Sequence, residues 1–302
     1  MFIYFININN THNLNHKNIL HSDKYMNITN LIKTIFAVAV GLFMLLVAPI
    51  LVQISLENLL NELLIAVITE PKYASGITLF SFFYPLWRAL SYVAGIVLLA
   101  IVPSIYQGKE WTLKVELTAY AVPSVGGMFM FLPYVSFVGG FPFPMMISFV
   151  GLLGYLSVFL FHYYGSILEK IVNLITFTFV GMLATHAFVI GIGAQRMLLT
   201  RPGQPLFAGL EWWILTMSGE INWIAVLMLF GSIPLMADRK KNGWWLAIIA
   251  ALSIITINIP TQIIRTATPD YLIGAMLAAG LLALLLIFKD RLIGKDTSKV
   301  RE

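Results

Sequence analysis

Residues 34–55 read TIFAVAVGLFMLLVAPILVQIS, without one charged side chain. About 20 apolar residues in helical form, rising roughly 1.5 Å each, cross the hydrocarbon core of a bilayer. Inside hydrocarbon, only a helix or a closed barrel satisfies the backbone N–H and C=O groups. A barrel strand would alternate apolar and polar residues, and this stretch does not. It reads as a transmembrane helix.

Working outward, seven more stretches of the same kind appear, and the eight lie at about 31–55, 78–105, 113–137, 143–164, 168–194, 219–237, 243–260 and 270–288. The seventh is short and ends on Thr256, Asn258 and Pro260; without it the count falls to seven. The whole composition agrees. Of 302 residues, 59% are apolar and 11% charged, with a mean hydropathy of +0.86. Soluble domains carry about 25% charged residues, and disorder needs low hydrophobicity with high net charge, so both classes are excluded. The absence of cysteine removes disulfides, thiolate zinc sites, iron–sulfur ligation and c-type haem attachment. The net charge is +5, but no basic run exceeds Arg239-Lys240-Lys241. In such a chain basic residues mark cytoplasmic loops rather than a nucleic-acid surface, and no nucleic-acid partner is expected.

The basic residues also choose between seven and eight spans. With eight, both termini share one side, which holds 14 Lys and Arg residues against 4 on the other, with Arg88 alone inside a span. The expectation is an all-α integral membrane protein, a bundle of about eight transmembrane helices. Its N and C termini are cytoplasmic, and it sits multi-pass in the cell membrane. Residues 1–30 form a polar tail with eight asparagines and His12, His16 and His21. They read as a disordered segment or as an over-extended start ahead of Met26. Residues 31–289 are the membrane domain, and 290–302 a basic cytoplasmic tail.

Two outer connections are long. Residues 56–77 place Leu59, Leu60, Leu63, Leu64, Val67 and Ile68 at helical spacing around Asn61 and Glu62. Residues 195–218 lead through Arg201-Pro202-Gly203 to Trp212 and Trp213. Both are expected as helices lying flat at the interface, where tryptophan is favoured. Either they have no further duty, or they make an outer platform for an extracytoplasmic partner.

Ionisable groups deep in a span are functional candidates by default, because hydrocarbon opposes them. Arg88 is near mid-span, with Tyr84 and Tyr92 one turn to either side. Such a stripe suits an anionic group or a quinone carbonyl; the plainer alternative is a structural Arg bonded to helix-end carbonyls or to Glu116. Glu116 and Tyr120 lie one turn apart near the cytoplasmic start of the third span, where Glu116 also suits snorkelling or helix capping. Pro123, Gly126 and Gly127 follow, as a helix break or as close packing. His186 lies in the fifth span beside Thr185, and Gly181 with Thr185 makes a small-xxx-small pair suited to helix contact. His186 is a candidate proton or quinone ligand. His162 ends the fourth span at the other face, roughly 20 Å away in depth, so the two do not ligate one haem. The quinone- or ligand-binding candidates are therefore Tyr84, Arg88, Tyr92, Glu116, Tyr120 and His186. No catalytic residue and no metal site are expected. Zinc-protease, nucleophile-elbow, P-loop and dinucleotide motifs are missing.

In size, span pattern, lack of cysteine and Ile/Asn-rich style, residues 26–302 resemble the small hydrophobic membrane subunit of archaeal cytochrome b complexes of thermoacidophiles. No specific motif carries the resemblance, and no site residue is transferred from it. It implies a hydrophobic membrane-anchor subunit of a respiratory electron-transport complex. That subunit would be non-catalytic and would bind no cofactor alone. It would dock an extracytoplasmic, cytochrome-type partner carrying haem b, and contact quinone. The alternative is a secondary transporter or channel for a small solute or ion, with Arg88, Glu116, His186 and the Pro/Gly breaks as its site.

Overall fold

In the computed structural model, residues 28–161, 166–199 and 209–293 are described. The tail before residue 28, His162, the segment 200–208 with Arg201, and the chain beyond residue 293 lie outside the described residues. The described part is helical throughout, with no strand. Helix α1 is Ile28–Thr69, interrupted by a π-helical segment at Phe43–Val47. A 3-10 turn, Pro71–Tyr73, leads into α2, Ala74–Tyr106. There follow α3 (Thr112–Phe137), α4 (Phe143–Phe161), α5 (Ile167–Leu199), α6 (Leu210–Ala237), α7 (Lys241–Ile264), α8 (Asp270–Ile287) and the single turn α9 (Lys289–Leu292). Among the described residues, eight helices, α1 to α8, are long and apolar enough to cross a membrane. This is a multi-pass membrane architecture.

Side-chain contacts show the helices running alternately up and down. At one end, Lys114 pairs with Asp238 at 2.9 Å, Arg239 approaches Glu169 at 3.7 Å, and Lys289 lies over the Trp244 ring. At the other end, Lys72 pairs with Glu70, and Tyr73 packs edge-on against Phe137. The first is called the Asp238 end here and the second the Arg265 end. Both limits of the described chain, Ile28 and Ile293, are at the Asp238 end. So are Lys33, Lys109, Lys170, Lys240, Lys241 and Arg291, whereas the Arg265 end has only Lys72, Arg196 and Arg265 among its described cations.

The two expected interfacial helices are replaced by longer continuous ones. Residues 56–69 complete α1, and their inner stripe of Leu56, Leu59 and Leu63 is buried in the core. Tertiary contact outweighs the pull of the interface, because the stripe finds partners on α2. Residues 210–218 are likewise the first turns of α6. At 42 residues, α1 is about 63 Å long, twice the roughly 30 Å hydrocarbon core, so it projects beyond the membrane.

Glycines set the closest contacts. A Cβ on Gly95 would lie 2.9 Å from the Gly41 carbonyl oxygen, so α1 and α2 touch backbone to backbone. Of the two readings of Pro123, Gly126 and Gly127, close packing is the one the fold bears out: α3 runs unbroken through Pro123 and Pro133. Gly126 makes room for the Trp87 ring, and Gly127 for the α4 backbone at Ser148. These residues serve packing. In the bundle centre, Phe83, Trp87, Phe129, Phe188 and Trp223 form an aromatic cluster, mostly edge to face, with Phe129 and Phe188 4.9 Å apart.

Candidate functional site: a cleft at His186

The helices do not fill the space between α3–α4 and α5–α8. There an apolar cavity of about 460 Å³ is lined by Val125 and Met128 of α3, Leu152 of α4, Phe177 and Gly181 of α5, and Leu277 of α8. Met128, Leu152 and Met182 on its rim are exposed at the bundle surface, so the cleft faces lipid. A second cavity, of about 410 Å³, lies toward the Arg265 end, where apolar walls of Val189, Ile190 and Ile273 meet charged side chains. Arg196, Arg265, Asp270 and Tyr271 line it. The two cavities share Leu132 and His186. His186 is about 20 Å from the α5 C-terminus by helical rise, so it marks the boundary between an apolar cleft and a charged vestibule.

Two details make this boundary chemically open. The Nδ1 of His186 is buried and has no hydrogen-bond partner among the described residues. Beside it, Asn222 Nδ2 donates to Asn258 Oδ1 at 2.9 Å across α6 and α7, while Asn258 Nδ2 has no partner among the described residues. Gly274 of α8 closes over both. A Cβ there would lie 2.6 Å from Asn258 Nδ2 and 3.0 Å from His186 Nδ1. An unsatisfied polar group in hydrocarbon costs several kcal/mol, which a polar ligand atom in the cleft would offset.

The backbone of α5 is open here as well. A Cβ built on Gly181 or Gly193 meets nothing within 4 Å. Gly181 lines the apolar cleft and Gly193 the vestibule. The expected small-xxx-small helix contact at Gly181 and Thr185 is therefore not made. Glycine at 181 enlarges a cavity instead, and Thr185 turns its hydroxyl back to the Gly181 carbonyl at 3.0 Å.

The remaining candidates are dispersed. Tyr84 is fully buried and donates to the Met130 carbonyl of α3 at 2.6 Å, an interhelical tie. Tyr92 faces outward with 45% of its surface exposed. Tyr84, Arg88 and Tyr92 therefore do not line a common pocket, because each i+4 step turns about 40° around the helix. Arg88 donates to Gln53 Oε1 of α1, and Gln53 Nε2 donates to Glu57 Oε1 at 2.7 Å. This relay ties Arg88 to α1 rather than to Glu116. Glu116 is buried, not snorkelling, with Lys33 of α1 as its electrostatic partner and the Thr112 hydroxyl beside it. Tyr120 packs against Gly154 one turn deeper. The pair forms a second polar cluster, near the Asp238 end and remote from His186.

Of the six candidates, then, only His186 reaches the cleft. Arg196, Arg265, Asp270, Asn222 and Asn258 join it without having been singled out. Their signal was faint: two arginines at the ends of outer connections, and two amides at span positions that face each other only after folding. Compared with protein-family models, with curated proteins and with solved structures, the chain matches none.

Proposed function

We propose that this chain is a non-catalytic membrane subunit of a respiratory electron-transport complex, and that it holds a quinone at His186. A quinone pairs an apolar prenyl tail with a ring whose oxygens exchange hydrogen bonds. The observation that carries the proposal is the meeting, at a buried His186 Nδ1 with no partner among the described residues, of a lipid-facing apolar cleft with a cavity that carries charged side chains. The tail lies in the cleft, and a ring oxygen reaches Nδ1 or the spare N–H of Asn258. The chain supplies position only. Oxidation of the quinol needs a redox partner, an extracytoplasmic cytochrome-type subunit bearing haem b and seated at the Arg265 end. That end faces outward in the cell membrane, because the basic residues crowd the Asp238 end and cationic loops stay in the cytoplasm.

The test is His186→Leu in the native complex, with quinol-linked electron flow measured beside subunit content. The expected result is an assembled complex whose flow falls about tenfold or more, the scale of one charge-assisted or ligand hydrogen bond lost. Full flow in an assembled variant would contradict the proposal. A purified chain that carries no redox partner and moves a solute in vesicles would favour the transporter instead. The charged vestibule opening at one end beside the buried Asn222–Asn258 pair is the feature that fits such a carrier.

A further inference from the structure

A third cavity, of about 370 Å³, lies between α2, α3 and α6 and shares no wall residue with the cleft at His186. Val93 and Val97 of α2, Val115 and Val122 of α3, and Pro234 of α6 make its walls. Val93 is exposed at the bundle surface, so the groove opens toward lipid. Thr118 lines it too, but turns its hydroxyl back to the Lys114 carbonyl at 2.8 Å. The charged residue in the wall is Lys114, in the first turn of α3 at the Asp238 end. From Lys114 the groove follows α3 to Val122, about 12 Å by helical rise. A lysine so placed lays its stem along apolar walls and holds its ammonium group in the headgroup layer.

The charge at this mouth is unbalanced. Asp238 Oδ2 takes Lys114 Nζ at 2.9 Å and Lys240 Nζ at 3.4 Å. Among the described residues neither ammonium pairs with a second carboxylate, Glu110 in the turn before Lys114 included. Two positive charges thus share one carboxylate oxygen, and Lys241 follows at the start of α7. An ammonium group has three donors, so a further acceptor can join without displacing Asp238. The surplus of charge stands at the open end of a groove that suits hydrocarbon. An anionic lipid supplies both halves, phosphate oxygens for the cations and an acyl chain for the walls.

We infer that the groove between α2, α3 and α6 binds one anionic phospholipid, with its phosphate at Lys114 and Lys240 and an acyl chain against Val93, Val97 and Val122. The site is independent of the quinone proposal, since the two cavities have separate walls.

The experiment uses the full chain, purified in detergent and stripped of lipid. Its unfolding midpoint is followed while phosphatidylglycerol, phosphatidylcholine of the same chains, or inorganic phosphate is added. Phosphatidylglycerol is expected to raise the midpoint at the lowest concentration, and inorganic phosphate to leave it unmoved. Lys114→Gln and Lys240→Gln should each raise the phosphatidylglycerol concentration for half the effect about fivefold, one cation's share of the attraction to anionic lipid. Asp238→Asn should lower that concentration, because it leaves both cations to the phosphate. A pair that only held α3 to the turn after α6 would act otherwise: Lys114→Gln and Asp238→Asn would both lower the lipid-free midpoint and leave the lipid response as it was. Val93→Trp lays an indole over the groove from an exposed position and should abolish the phosphatidylglycerol response. Should Lys114→Gln not fold, Lys240→Gln in the exposed turn and Val93→Trp carry the test. Four results would each overturn the inference: equal responses to the two lipids, an inorganic phosphate response matching that of phosphatidylglycerol, a shift in Asp238→Asn that is absent or in the direction of the lysine variants, or an undiminished response in Val93→Trp.

Discussion

His186 stood out in the sequence because an ionisable group within a span has few plain explanations. Asn222 and Asn258 did not, since an amide carries no charge and their pairing joins residues 36 apart. A double-mutant cycle with Asn222→Leu and Asn258→Leu should give a coupling of about 0.6–2 kcal/mol, the range for interhelical hydrogen bonds in membranes. Additive effects in detergent unfolding would mean the bond does not hold α6 to α7. Glycine content was plain to read, but not which glycines meet a neighbour. Gly181→Ala should stabilise the chain by up to about 1 kcal/mol, since it gains helix propensity and touches nothing. Gly154→Ala should destabilise it, because its Cβ enters the Tyr120 ring. A drop in melting temperature for Gly181→Ala would show that the cleft is filled by protein.

Among the elements, all eight spans were legible, because a long uncharged run has one structural meaning in a bilayer. Where each helix ends was less so. Hydropathy falls after residue 55, yet α1 continues to Thr69 because Leu59 and Leu63 find partners in the core. A pattern along one chain cannot show what another segment offers. The α1–α2 pair depends on the backbone contact at Gly41 and Gly95, so Gly95→Leu should loosen it and expose α1 to proteolysis ahead of the rest. Resistance equal to wild type would place the contact outside what holds α1. At the turn between α6 and α7, partial burial opposes the Asp238 charge, but Lys114 and Lys240 outweigh it and hold its carboxyl below the ordinary 3.8. Its contribution to stability is thus present above that value and fades as pH falls through the lower folded one. Asp238→Asn should flatten the acid side of the stability curve there. An unchanged curve would mean the surface pair contributes nothing, as many do.

For the whole molecule, the described residues form a bundle of antiparallel helices with an open seam between α3–α4 and α5–α8. The seam was not legible, since it depends on which glycines and small residues meet empty space. The charge asymmetry was legible, and in the fold it coincides with one end of the bundle. An even number of spans puts both termini on one side, and the cationic bias of that side points to the cytoplasm, so a C-terminal tag is expected to be protected in intact cells; a tag reached from outside would contradict this orientation. The central claim is that the seam admits a lipid-soluble ligand at His186. Because the natural chain has no cysteine, Gly181→Cys gives a single reporter at the open wall of the cleft. A membrane-soluble maleimide should label it in native membranes, and added short-chain quinone should slow that labelling in a concentration-dependent way. Labelling at the same rate with saturating quinone would contradict a quinone site there.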